Sequence, residues 1–512
     1  MLPAVNLLPF IGPVLFLILG ALATLVAEPF LGKHDKHKFL PWIGTIAAAM
    51  SGVALFFTAP GHLHGVFALD PVRAGLLLVL LVVLVLGLAA LQRNLSSDGF
   101  EGGEPYVLLQ LATIGAALMV MATQSISLFV GMELMSLAIY PLVGMRRKSS
   151  ESAEAVLKYF AMGAVFSAVF LYGASLCYGA TGTVGFGGTI AEGRAGVFNL
   201  GFVLMSVGLL FKIGMAPFHF WSPDAYTGAT SGTTAFMAGA VKVGAMAALG
   251  NLWMNFLVTR AGFPLNSPLS LKVTIPPMLF YQMSPEAFSS IKSMAVLLFG
   301  ILGLLSIAIG SLSVLGQVSV RRLLAFSGVA NAGFMCLGFL LPSLARGYID
   351  LSVTWYYLAG YALATTGALA ALSALTGAGD SGDHLPALSG AARRSPLIGA
   401  VLTVFLASLA GLPPMAGFVA KFQLFHGLLL NVFSGLVQGV NPVSLLAIPG
   451  LALVLALVSA AAYFKVIVAI WSQPGQASRE PDSVPVLLGW AVTLTAVALV
   501  ALAIFPKHLF GA

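Results

Sequence analysis

Apolar residues run through this sequence in long blocks, with neither strict alternation nor a single helical stripe. Short polar stretches separate the blocks. About fourteen of them reach the roughly 20 residues needed to cross a bilayer as a helix. They are predicted near 9–29, 41–60, 69–92, 106–123, 124–145, 154–179, 198–221, 233–257, 294–315, 320–342, 350–376, 397–431, 445–471 and 484–506. The predicted fold class is all-α, a polytopic membrane protein.

Two spans are predicted to be broken. The seventh reads Phe211-Lys212-Ile213-Gly214-Met215-Ala216-Pro217-Phe218-His219, and the twelfth contains Gly411-Leu412-Pro413-Pro414-Met415-Ala416-Gly417. Proline lacks the backbone donor and collides with the preceding turn, so each helix should unwind there. Free backbone groups at membrane depth need protein or water beside them. Breaks at matching places in two halves point to an inverted-repeat transporter. Lys158-Tyr159-Phe160-Ala161-Met162-Gly163-Ala164 also resembles Tyr356-Tyr357-Leu358-Ala359-Gly360-Tyr361-Ala362. The expected organisation is an N-terminal three-span segment (1–105), a first inverted repeat of five spans (106–257) and an outward loop (258–293). A second inverted repeat (294–471) and a last span (472–512) follow.

Composition agrees with the pattern: 59% of the 512 residues are hydrophobic and 8% are charged, against roughly 25% charged in soluble domains. The net charge of +7 therefore encodes orientation, not nucleic-acid binding. With the N-terminus outside, the inner loops would hold Lys33, Lys36, Lys38, Arg93, Arg146, Arg147, Lys148, Arg321, Arg322, Arg393, Arg394 and Arg479. The outer segments would hold Arg73, Arg194, Arg260, Lys272, Lys292, Arg346 and Lys507. Twelve basic residues against seven predict both termini on the outer side. Cys177 and Cys336, the only two cysteines, lie far apart and outside any CxxC pattern, which argues against a zinc site, an iron–sulfur cluster or a disulfide framework.

Eight ionisable residues fall inside the apolar runs: Glu133, Lys158, Lys212, His219, Lys242, Lys421, His426 and Lys465. A charge at the bilayer centre costs about 2.5–3.5 kcal/mol on insertion scales, so an intramembrane ionisable group is a functional candidate by default. Glu133 is about nine residues into its span, roughly 14 Å deep; its bland reading is a neutral core acid. Lys212 and Lys242 are mid-span, and one glutamate cannot neutralise both, so desolvation disfavours the charge of at least one. His219 follows Lys212 by seven residues and is expected on a similar face, as a relay or a core histidine. Lys421 follows the second break by about two turns with no acid in its half. The bland readings stand for three others: Lys158 as an i,i+4 partner of Glu154, Lys465 as a snorkelling lysine and His426 as structural. Asp224 and Asp350 lie near span ends and are expected to face water.

The stretch Phe211 to Tyr226, with Lys212, Pro217, His219 and Asp224, and the stretch Gly411 to Phe422 resemble the antiporter-like membrane subunits of respiratory complex I, which are similar to subunits of multi-component sodium/proton antiporters. The resemblance covers about residues 70–500. It is nearest to the subunit N (subunit 2) branch, on three features: the chain stops after span fourteen, span twelve carries Lys421, and Glu151 to Tyr159 includes Lys158. The resemblance implies a Glu133–Lys212 ion pair and a central relay through His219 and Lys242. It also implies a terminal lysine at Lys421 and a role for Lys158. Relatives often carry a histidine where this chain has Asn331, so a relay there would need water or a hydroxyl.

On this reading the chain is a membrane subunit of an NADH:quinone oxidoreductase, a proton-translocating translocase. It would hold no redox centre; NADH, flavin, iron–sulfur clusters and quinone would belong to partner subunits. Gly185-Phe186-Gly187-Gly188 reads as a loop, not a dinucleotide fingerprint. Expected partners are the other membrane subunits of complex I, lipid and protons, and the expected location is the bacterial inner membrane. Competing readings are a sodium/proton antiporter subunit without electron transfer, a non-pumping structural subunit, and a quinone site in this chain, for which no residue pattern speaks.

Overall fold

The computed structural model describes residues 7–505 apart from 64, 99, 187, 261–293, 341–350, 377–381, 434–441 and 474–483. Nearly all of the 258–293 loop, together with Lys272, Lys292, Arg346, Asp350, Arg479 and Lys507, lies outside the described residues.

The N-terminal segment contains α1 (Leu7–Ala27), α2 (Lys33–Phe57), a hairpin of β1 (Gly61–Leu63) and β2 (Phe67–Leu69), and α3 (Pro71–Asp98). Next come α4 (Glu104–Met121), α5 (Ser125–Val143), α6 (Ser150–Thr181), α7 (Ala195–Ile213) and the short α8 (Trp221–Gly228). The eighth span is composite: α9 (Ser231–Phe236), a π-helical turn (Met237–Val241) and α10 (Lys242–Arg260). The second half opens with another π-helical turn (Val296–Ile301), then α11 (Leu302–Leu315), α12 (Val320–Leu337) and α13 (Ser352–Leu375). It closes with the single turn α14 (Ala391–Arg394), α15 (Pro396–Ala410), α16 (Ala416–Phe433), α17 (Pro442–Trp471) and α18 (Val486–Ile504).

Among the described residues, thirteen helices are long and apolar enough to cross a membrane, and two shorter ones, within α15 and α16, stand end to end. Counting that pair as one interrupted span gives the fourteen read from the pattern. The β-hairpin is an addition to the all-α expectation. Its two strands are three residues each, too short for an alternating signal, and β2 tucks Ala68 and Leu69 into the core.

Burial sorts the helices. The stretch Ser231–Leu257 is wholly buried and Ser352–Leu375 is 94% buried, whereas Ser150–Thr181 is only 28% buried. The most enclosed helices are the ones carrying Lys242, Asn331 and Tyr361, so the centre of the bundle is where the polar groups lie.

Both breaks form, by the same backbone device. Gly214 (φ +77) and Gly411 (φ +82) end α7 and α15 in the left-handed region, which glycine enters without the Cβ clash that other residues suffer. The next residue folds back in each case: Met215 N donates to Leu210 O at 3.0 Å, and Leu412 N to Ala407 O at 3.1 Å. The peptide bonds Ala216-Pro217 and Pro413-Pro414 are both cis.

Candidate functional site

The site is a series of polar stations inside an apolar bundle. At the first, α5 and α7 meet. Lys212, 1% exposed, donates to Ser136 Oγ at 2.7 Å, and Ser136 donates to Met132 O at 2.6 Å. Its ammonium also lies 5.8 Å from the centres of the Tyr140 and Phe211 rings, within cation–π range. Glu133 sits one helical turn from Ser136, is half-buried, and accepts from Ser167 Oγ at 2.5 Å. The expected Glu133–Lys212 ion pair is therefore not made. Each partner is held by a serine instead, because Ser136 and Ser167 offer neutral groups closer than the two charges lie to each other.

His219 departs from its expected place. Helical geometry across seven residues would put it over Lys212, but the chain between Ile213 and Trp221 is not α-helical. His219 is half-buried beside Phe220 and Phe326, its Nδ1 has no hydrogen-bond partner, and no bond joins it to Lys212 or Lys242 among the described residues.

Lys242 follows directly on the π-helical turn, a distortion that recurs at functional sites. It is 4% exposed and donates to Gly328 O of α12 at 2.5 Å, with its ammonium 5.1 Å from the Tyr361 ring centre. One turn along α12, Asn331 joins three hydroxyl groups. Tyr357 donates to Asn331 Oδ1 at 3.0 Å, Asn331 Nδ2 donates to Tyr463 Oη at 3.2 Å, and Tyr463 pairs with Ser327 Oγ at 2.5 Å. One turn further, the Phe334 ring centre is 5.7 Å from the Lys421 ammonium. Gly328, Asn331 and Phe334 thus place Lys242, a hydroxyl network and Lys421 along about 9 Å of one helix. Lys421, 8% exposed, donates to Leu409 O at 2.9 Å and Ala410 O at 3.4 Å, the final carbonyls of α15.

Lys158 is not buried; its side chain is 44% exposed. It bridges Glu154 at 2.6 Å and Asp224 at 2.9 Å, and Arg322 reaches Asp224 at 3.5 Å. The i,i+4 pair with Glu154 exists, but Asp224, expected to face water alone, makes it a triad. Glu154, Asp224 and Arg322 border a cleft of about 410 Å³ that is also lined by Glu151, Arg321, Asp383 and His384. Arg321 is itself buried, bonded to Asp383 at 2.9 Å and Ala229 O at 2.7 Å. Lys465 is exposed, 3.5 Å from Gln317 O, and His426 is exposed and stacked on Phe422.

Sequence reasoning missed Ser136, Ser167, Ser327, Tyr357, Tyr361 and Tyr463, since a hydroxyl in a helix is not conspicuous. It also counted Arg73 as an outer-loop charge, whereas the side chain is fully buried against Asp70.

Comparison with known proteins gives a consistent answer. The family model for the transmembrane region of NADH:quinone oxidoreductase and Mrp antiporters matches residues 122–263 and 264–441. NADH-quinone oxidoreductase subunit N of Chloroflexus aggregans is 30% identical, covering 100% of this chain and 97% of the relative. Subunit N of Bacillus anthracis is also 30% identical, covering 96% and 92%. In the solved structure of respiratory complex I from Thermus thermophilus with bound aureothin, one chain superposes with a TM-score of 0.74 at 30% identity, covering 98% of this chain and 99% of that one. A chain of the Mrp complex from Dietzia superposes with a TM-score of 0.76 at 19% identity, covering 99% and 96%, a likeness of fold alone.

Proposed function

Since this chain belongs to the NADH:quinone oxidoreductase/Mrp antiporter transmembrane family, in its NADH-quinone oxidoreductase subunit N branch, we propose that it moves protons across the membrane while electrons pass through other subunits. NADH, flavin, iron–sulfur clusters and quinone then belong to those subunits. The neighbouring membrane subunits supply the coupling signal, and the bacterial inner membrane is the location. The basic clusters face inward and both termini face outward.

One observation carries this reading: Lys212, Lys242 and Lys421 are buried without a carboxylate in contact among the described residues, each held by a neutral hydroxyl or carbonyl. Removing an ammonium from water costs several kcal/mol, and a neutral acceptor returns less of that than a carboxylate. Such an amine changes its protonation state in response to a modest change in the local field.

Protons enter from the inner side through the cleft at Glu151, Glu154 and Asp224, where Lys158 and Arg322 offset part of the acidic charge. They pass to Lys212, whose charge is favoured when Glu133 swings toward it and disfavoured when Glu133 stays on Ser167. The structure has the second arrangement. Lys242 takes the next position, the Asn331–tyrosine network carries the step across α12, and Lys421 releases outward. His219, half-buried beside Phe326, takes part through water. At about 200 mV the opposing force is about 4.6 kcal/mol per charge, the size of one ion pair at about 4 Å in a medium of effective dielectric about 20.

Lys212→Ala and Glu133→Ala are expected to leave the complex assembled and abolish the protons pumped per electron through this subunit. Measurement in proteoliposomes during NADH oxidation checks it, and an unchanged ratio in both variants rejects the proposal.

A further inference from the structure

The two ends of the first half differ. One opens into the polar cleft. The other is closed by backbone: Thr123 N and Oγ1 donate to Val66 O at 2.9 Å and Gly65 O at 2.7 Å, and Ser125 N donates to Val184 O at 2.9 Å. Beneath this lid lies a charge that the transport path does not use. Arg73, 0% exposed, pairs with Asp70 and donates through Nε to Val120 O at 3.2 Å and through Nη2 to Asn251 Oδ1 at 3.2 Å. Asn251 Nδ2 donates to Ala122 O, and Asn255 Nδ2 donates to Asn251 O at 2.7 Å and to Asn251 Oδ1 at 3.1 Å.

On the lid side of Asn255 is a cavity of about 30 Å³ bordered by Ser125, Thr181, Thr183, Asn255 and Thr259, and Asn255 Oδ1 has no protein partner. That space is large enough for one water molecule. On the other side, α10 runs about 13 Å back to Lys242, and each of its residues from Val243 to Gly250 is apolar and buried.

We propose that Arg73, with Asn251, is the outward proton barrier of the first half: it stops a proton at Lys242 from leaving within that half, so that the proton crosses to Lys421. Two features of the hydrogen bonding support it. A guanidinium has donors only and keeps its proton, so no hydrogen-bonded wire passes through it. Asn251 Oδ1 already accepts from Arg73 and from Asn255. Asp70 pairs with the guanidinium while its Oδ1 accepts from Val72 N at 2.9 Å and Arg73 N at 3.0 Å at the start of α3, so the block lies in the donor-only side chain and not in a net field.

The inference rests on the relay proposed above, and its test separates the two. The complex is reconstituted in liposomes, and decay of an imposed pH gradient is followed without NADH. Arg73→Met is expected to retain NADH oxidation and leak protons several-fold faster. Arg73→Lys, which keeps a donor-only cation, stays near the wild-type rate. Asp70→Asn disturbs the same packing but keeps the guanidinium, and stays tight. The double variant Arg73→Met with Lys242→Met returns to the wild-type rate, because the leak needs the relay amine. If Arg73→Met does not assemble, Asn251→Asp, which installs an open acceptor, gives the same reading. A tight Arg73→Met, or a tight Asn251→Asp in its place, overturns the barrier. So does a leak that survives loss of Lys242, or an equal leak from Asp70→Asn. A Lys242-dependent leak with normal stoichiometry in Lys212→Ala would keep the barrier and reject the pumping assignment.

Discussion

The two broken spans share a backbone and place their amines on opposite sides of it. In the first half Lys212 precedes Gly214, in the last turn of α7, and α5 supplies its surroundings: Ser136 in contact and Glu133 a turn away. In the second half Lys421 follows Gly411 and reaches back across the break to Leu409 O and Ala410 O. A helix C-terminus carries partial negative charge and favours a cation by about 0.3–1 kcal/mol. The second amine is thus held by a fixed dipole and the first by a side chain that can move. The same break yields an adjustable station in one half and a constant one in the other, which suits entry under control and release at a set affinity.

Removing each amine exposes that difference most strongly. Lys421→Met leaves two end-of-helix carbonyls without their donor, whereas Lys212→Met leaves Ser136 still bonded to Met132 O. An unsatisfied buried acceptor costs about 1–3 kcal/mol. The thermal midpoint of the purified complex should therefore fall in Lys421→Met and stay near wild type in Lys212→Met, although both stop pumping. Equal midpoints would mean that the carbonyls are hydrated and the dipole argument fails. The glycines come next. Gly214→Ala and Gly411→Ala each force a Cβ into the left-handed region, at roughly 1–2 kcal/mol. At Gly411 the new Cβ also lies 3.1 Å from Lys421 Cδ, while at Gly214 its nearest neighbour is 3.7 Å away. Matched losses of stability should thus accompany a loss of pumping that is larger in Gly411→Ala.

Much of this comparison was legible in the sequence. A bilayer admits few alternatives to helices of about 20 apolar residues, so the spans follow from the pattern. The glycine and proline residues mark both breaks. Lys212, Lys242 and Lys421 stand out because nothing else in their runs is charged. The partners were less legible, since they are tertiary. Ser136 and Ser167 are ordinary helix residues until α6 and α7 close on α5. Tyr357 and Tyr463 come from spans far apart in sequence. Asp224 follows the first break and was assigned to water, but α6 and α12 bring Lys158 and Arg322 to it. The error at His219 came from applying a helical repeat where the helix had stopped. Arg73 carried a signal that went unread, because Asp70 precedes it by three residues.

The smallest effect concerns how the first break is tied down without a lysine of its own on the far side. Where Lys421 crosses the second break, Trp221 crosses the first: its indole Nε1 donates to Phe211 O at 2.8 Å, and its ring stacks on Tyr159 at 4.5 Å. Trp221→Phe keeps the stacking and removes the donor, so it should cost about 1 kcal/mol, the net worth of one neutral hydrogen bond. Pumping should persist, because a neutral indole contributes no charge that Lys212 or Glu133 reads. A Trp221→Phe complex that assembles with wild-type stability but pumps poorly would show that the indole governs the protonation of Lys212. The first break would then be controlled from its far side, as the second one is.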